Sequence, residues 1–226
     1  MNREDRRGGF YWVKDRPYVS VTKCLTAINK PQLLSWAAKE TYRAMLVNPG
    51  LDEETATTAF LRSRDKAADR GRLIHLAVEA YKTSGDTIVT ISPDTKGYIE
   101  AFYKWVKDAK VVIEDQEKTV VSDKYGYAGT LDLLVRVNGG SESRIVDIKT
   151  NKAGAIYPEH HLQQSAYLQA LRESGVEVKG GAVLSLMDDG RYAYHEIKED
   201  FDVFLAVKKL FVWQNEDLCK KVGYQG

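Results

Sequence analysis

The stretch 129-GTLDLLVRVNGGSESRIVDIKTNK-152 decides the fold and raises the functional question. Leu131, Leu133, Val135 and Val137 alternate along its first half, and Val146 and Ile148 along its second. Side chains of a strand point to opposite faces in turn, so each run has an apolar face for a core. Asp132 falls on the other face of the first strand, and Asp147 and Lys149 fall together on the other face of the second. Carboxylates inside such runs cost stability, so their presence needs a reason. Between the runs, 138-NGGSES-143 supplies Asn and Gly for the positive φ angles of a tight hairpin. A turn centred on Gly139–Gly140 sets Asp132 opposite Asp147, and moving it by one residue makes Lys149 the partner. The clustering holds in both cases. Directly opposed side chains have Cβ atoms ~4.5–5.5 Å apart, where like charges repel. A divalent cation between them turns that repulsion into chelation.

The rest of the chain bounds what this hairpin belongs to. Its 226 residues suit one substantial core, or a core with an added lobe, better than two full domains, so 1–226 reads as a single domain. With 43% hydrophobic and 29% charged residues, the composition is that of a folded soluble protein rather than a disordered one. No apolar run approaches a membrane span, and the opening MNREDRRGGF is charged where a signal peptide turns apolar, which predicts a cytoplasmic protein with no membrane partner. Cys24 and Cys219 alone exclude a disulfide framework, a four-cysteine zinc site and an iron–sulfur cluster. A net charge of +1 excludes a generally basic nucleic-acid coat and leaves room for a local positive groove.

Periodicity divides the chain into a helical front, residues 1 to about 92, and a sheet-containing core from about 93 to 226. In the front, 20-SVTKCLTAINK-30 opens with cap-like Ser and Thr. Pro31 restarts a helix that stops at Asn48-Pro49-Gly50, and a third helix runs from about Asp52 towards Tyr81 with a break near Gly71. A helix follows Pro93. VVIED, EKTVVS, TLDLLVRV and RIVDIKT read as extended, PEHHLQQSAYLQALRES as a helix, VKGGAVLSLM and RYAYHEIK as strands, and Asp200–Lys220 as one amphipathic helix. The fold class is therefore α/β or α+β with an N-terminal helical lobe.

Further residues join the Asp132, Asp147 and Lys149 group. His75 and Glu79 lie one helical turn apart in 71-GRLIHLAVEAY-81, and Gln163 and Tyr167 share a face at the same spacing in 162-LQQSAYLQAL-171. Gly71 is a position where another backbone can come close and carry His75 towards the two aspartates. Glu117 heads a strand that precedes Asp132. Arg62, Lys66 and Arg70 form a basic i, i+4, i+8 stripe entering the His75 helix.

Taken in order, Gly71-x-x-x-His75, Gly129-Thr130-x-Asp132, Asp147-Ile148-Lys149 and Gln163-x-x-x-Tyr167 resemble the PD-(D/E)XK nuclease superfamily. The similarity is to its RecB-like and phage exonuclease branch, to which phage lambda exonuclease is related. Leu131 stands where the motif's name has Pro. The resemblance covers most of the chain and lies in the order and spacing of short motifs. It implies a restriction-endonuclease-like core, a central mixed sheet flanked by helices. It also implies a metal-dependent DNA nuclease, most simply an exonuclease of phage or recombination and repair type, with DNA and recombination or replication proteins as partners. In this reading Asp132, Asp147 and Lys149 are catalytic, and His75, Asp132, Asp147 and the Ile148 carbonyl bind Mg²⁺ or Mn²⁺. Glu79, Glu117, Gln163 and Tyr167 support them, and Arg62, Lys66 and Arg70 hold nucleic acid. Hard carboxylates suit those ions, and an imidazole tilts the preference towards Mn²⁺. The alternatives are a structure- or sequence-specific endonuclease on the same fold, a non-catalytic nucleic-acid-binding module and a metal-dependent enzyme acting on a non-nucleic substrate; the intact Asp/Asp/Lys set argues against the second.

Overall fold

The computed structural model describes residues 6–84, 92–150 and 154–225. Among the described residues, eight strands form one mixed sheet: β1 (Arg6–Arg7), β2 (Phe10–Val13), β3 (Arg16–Ser20), β4 (Val112–Ser122), β5 (Tyr127–Arg136), β6 (Arg144–Thr150), β7 (Gly180–Leu186) and β8 (Tyr192–Glu196). The helices are α1 (Val21–Cys24), α2 (Pro31–Val47), α3 (Glu53–Ser84), α4 (Pro93–Asp108), α5 (Pro158–Glu173), α6 (Phe201–Gln214) and α7 (Glu216–Lys221). This is an α/β fold with a restriction-endonuclease-like core.

Both faces of the sheet are covered. Leu133, Val135, Val146 and Ile148 pack with Ile74 and Val78 of α3 and Tyr98, Phe102 and Trp105 of α4. Leu134 and Ile145 belong to a second cluster with Leu162, Leu168 and Leu171 of α5 and Phe204 and Phe211 of α6. The polar face expected of the hairpin is thus roofed by helices, and Asp147 is only 2% exposed.

The helical front begins later than the periodicity predicts, because residues 10–20 form the β2–β3 hairpin, and β3 pairs parallel with β5. Short strands of four and five residues leave too few alternations to read. α3 runs unbroken through Gly71, packing carrying it past a residue of poor helix propensity. The two extended segments before Ser122 are one strand with a bulge between Ile113 and Asp115, and the last helix breaks at Asn215.

The pairing of β5 creates the opening on which the site depends. β4 runs along one edge of β5 from Tyr127 to Arg136. β3 and β6 therefore share the other edge, β3 against Tyr127–Ala128 and β6 against Leu133–Val135. Between them, no described strand pairs with the edge from Gly129 to Asp132. The register of β5 and β6, Leu133 opposite Val146, is the one that sets Asp132 opposite Asp147, but the ladder stops just short of that pair. The turn itself sits one residue before the expected centre. Asn138 and Gly139 take positive φ angles, and Gly140 N donates to Val137 O. Unpaired residues after the turn restore the register.

Candidate active site

Where β5 and β6 diverge, backbone hydrogen bonding is taken over by a side chain. The Ile148 N–H donates to Asp132 Oδ2 at 2.7 Å. N–H and C=O of one strand residue leave from the same edge, so the Ile148 carbonyl also faces this gap. Lys149 Nζ lies 2.6 Å from Asp147 Oδ2.

α3 brings His75 to the same place. Its Nδ1 is 3.7 Å from Asp132 Oδ1 and 3.6 Å from Glu117 Oε1. One donor atom from each of His75, Glu117 and Asp132 lies within 4.8 Å of the other two, a grouping able to hold a metal ion. Glu117 sits in β4 between Gln116, opposite Leu133, and Lys118, opposite Leu131, so it faces Asp132 across the ladder. Its backbone is left-handed, φ 49°. For a side chain with a Cβ this costs ~1–3 kcal/mol, and such strain persists where the surrounding structure imposes it, often at functional sites. Replacing Glu117 by Gly releases that strain and removes a carboxylate from the cluster. We expect the metal-free Glu117→Gly protein to melt ~2–4 °C higher, for ~1 kcal/mol gained, while its metal affinity falls. Calorimetry with and without Mn²⁺ measures both, and a lower melting point would contradict the strain.

The electrostatics suit a cation. Burial first, then the neighbouring Asp147, push the Asp132 carboxyl up to about 6, against the pull of His75 and Lys149. Burial acts to lower His75, but the Glu117 and Asp132 carboxylates outweigh it and raise it above its ordinary value. For Lys149, burial likewise opposes the charge, and Asp147 and Asp132 outweigh it, so it is a firmly held cation. Divalent ions bind the deprotonated ligands, so affinity should be highest above pH 6. As pH falls through about 6, Asp132 takes a proton that metal must displace. Affinity then drops ~10-fold per pH unit, more steeply where His75 is also protonated. In the metal-free protein the sign is opposite: Asp132 binds its proton more tightly folded than unfolded, so stability rises as pH falls from above 6 towards 4. Mn²⁺ titrations between about pH 5 and 8 check the first trend and thermal melts the second.

These groups line a cavity of about 690 Å³. Thr130, Asp132, Asp147, Ile148, Lys149 and Thr150 form its floor, α3 contributes Ala67, Ala68, Gly71, Arg72, His75 and Leu76, and α5 contributes His160, Gln163 and Tyr167. Gln163 Nε2 donates to Tyr167 OH at 3.2 Å, and the Tyr167 ring lies over Gly129, where a Cβ would come within 2.3 Å of it. Of the expected residues, His75, Glu117, Asp132, Asp147, Ile148, Lys149, Gln163 and Tyr167 are brought together. Glu79 stands one turn further along α3, beside a small adjoining recess, and its carbonyl accepts from Gln116 Nε2.

Two expectations change. Arg62, Lys66 and Arg70 do not line the cavity. At about 100° per residue they lie round α3 from Ala68, Gly71 and His75, and Arg70 is stacked over the Tyr98 ring at 5.4 Å. Among the described residues, no backbone closes on Gly71 either: a Cβ there meets only Thr150 Oγ1, at 3.8 Å. His75 reaches the aspartates because α3 packs through Ile74 and Val78 onto the sheet beside β5. His160, Thr22, Arg72 and Tyr157 line the cavity without having been singled out. For His160 and Tyr157 a signal existed in the spacing 157, 160, 163 and 167, one continuous helix face.

No protein-family model matches the sequence, and no curated protein matches it. Among solved structures, the chain is similar to the alkaline exonuclease LHK-Exo from Laribacter hongkongensis, at 12% identity and TM-score 0.48, over 92% of this chain and 90% of that one. The same exonuclease in complex with dAMP aligns at TM-score 0.45 with the same identity and coverage. A provisionally named exonuclease from Eubacterium rectale aligns at 14% identity and TM-score 0.49, over 92% of this chain and 83% of that one.

Proposed function

We propose that this protein is a divalent-metal-dependent DNA nuclease, acting as an exonuclease in recombination or repair. The observation that carries the proposal is the convergence of His75, Glu117 and Asp132 within 4.8 Å, beside the Lys149–Asp147 pair, on the floor of one open cavity. The donor set fits Mg²⁺ or Mn²⁺: hard carboxylate oxygens, one imidazole, and the Ile148 carbonyl at the strand edge. A cation held there supplies charge neutralisation for the phosphate and activation of water.

The remaining work falls to the chain itself. Phosphodiester hydrolysis adds a water oxygen to phosphorus, breaks one ester P–O bond and returns a proton to the leaving oxygen. Lys149, held protonated by Asp147 and Asp132, is a fixed positive charge that steadies the oxygens gaining negative charge. Held in that state, it orients water rather than accepting its proton. Gln163 on α5, anchored by Tyr167, and the small residues Ala67, Ala68 and Gly71 on α3 line the cavity, and this reading lays the DNA strand between them.

The test is incubation of end-labelled linear DNA and of circular DNA with Mg²⁺, Mn²⁺ or EDTA. Metal-dependent digestion of the linear substrate alone is the expected result. Nicking of circles would make the protein an endonuclease, and inertness with every metal would remove the nuclease assignment.

A further inference from the structure

Of the groups lining the cavity, the imidazole of His160 has no part in the chemistry above. It occupies the third position of α5, on the cavity face shared by Tyr157, Gln163 and Tyr167. Its Nδ1 is turned back to the start of its own helix, where it accepts the Tyr157 N–H at 3.3 Å. Tyr157 also meets the ring edge-on, with centroids 5.6 Å apart, which fixes the plane of the imidazole. In a neutral imidazole one nitrogen donates and the other accepts. With Nδ1 accepting, the proton is on Nε2 of a ring that borders the cavity. Among the described residues nothing accepts from Nε2. Burial first, then the charge of Lys149, hold the ring down at about 4, which favours the neutral form that the Tyr157 N–H already implies.

We propose that His160 is a further substrate-contacting residue, its Nε2–H donating to a non-bridging oxygen of the scissile phosphate from the α5 wall. This rests on the nuclease reading and adds to it a neutral hydrogen-bond donor facing the metal ligands across the cavity. A neutral donor suits this position. A second cation beside Lys149 would bind product phosphate as tightly as substrate, whereas a directed N–H strengthens as charge develops on the oxygen.

The test compares His160→Ala with His160→Gln in Mn²⁺-supported cleavage of a labelled oligonucleotide. Gln is a natural third residue of a helix start, where its carbonyl can accept the Tyr157 N–H and leave its amide to donate. The expected result is a ~100-fold loss of kcat/KM in His160→Ala, with most of the activity retained in His160→Gln and an unchanged Mn²⁺ midpoint in both. The second arm places sulfur at either non-bridging oxygen of the scissile linkage. One diastereomer should slow the wild-type enzyme and add nothing to the defect of His160→Ala. Cleavage by His160→Ala within about twofold of wild type overturns the proposal, as does a Gln variant that melts like wild type yet is as slow as Ala. If the wild-type protein cleaves no DNA, the nuclease reading fails and takes this contact with it. If the wild type cleaves and the Ala variant keeps pace, only the contact fails.

Discussion

Asp147→Asn is expected to reduce cleavage by at least ~100-fold, the upper end of the effect usual for residues that support metal ligands. The substitution keeps the shape of a side chain that is 2% exposed and removes its charge from beside the proposed metal-binding group. Lys149 loses the partner 2.6 Å away but keeps Asp132 as a counter-charge, and its own side chain is 30% accessible. Stability should therefore fall by less than the ~3–5 kcal/mol of breaking a fully buried pair. Asp132, raised by burial and then by Asp147, should also ionise more readily in the variant. Binding of a labelled oligonucleotide should survive, since the substitution leaves the cavity walls proposed to hold the phosphates untouched. Cleavage assays, a thermal melt and fluorescence anisotropy together test this. Near-normal cleavage by a folded Asp147→Asn protein would remove the catalytic centre assigned to this cavity.

The second large effect is expected at His75. Its Nδ1 stands between two carboxylates, 3.6 Å from Glu117 and 3.7 Å from Asp132, where a cation ligand would be placed. His75→Ala should weaken Mn²⁺ binding at least ~10–100-fold, and excess Mn²⁺ should restore part of the rate. The fold should hold, because the neighbours that anchor α3, Ile74 and Val78, are untouched. A histidine with only a packing role would give the reverse pattern, a lowered melting point with an unchanged Mn²⁺ midpoint. Calorimetric titration of the metal, alongside the melt of the metal-free protein, separates the two without relying on activity.

Much of the centre was legible in the chain before it folded. The period-2 pattern of Leu133–Val137 and Val146–Ile148 specified the two strands and the face that packs on α3 and α4, but left Asp147 and Lys149 both open as the residue opposite Asp132, a choice that the folded ladder made. That legibility is physical: a one-residue slip would turn every apolar side chain of a strand to the wrong face. The i, i+4 spacing of Gln163 and Tyr167 likewise survived into a direct hydrogen bond. The basic stripe on α3 was legible as a stripe, but which way a helix faces depends on what it packs against. Ile74 and Val78 turned Arg62, Lys66 and Arg70 away from the cavity.

Three features arose only when the elements came together. The pairing of β3 and β6 on one edge of β5 opened the gap in which Asp132 accepts the Ile148 N–H, and no local pattern records where a ladder stops. Glu117 joined His75 and Asp132 through a left-handed backbone held by the β4–β5 ladder, a conformation that its own preferences oppose. His160 came to line the cavity only because α5 lies across the sheet with that face inward. Local propensity and periodicity say which side of an element is apolar. Which polar groups meet depends on contacts between residues far apart in the chain, and those are formed only when the elements pack.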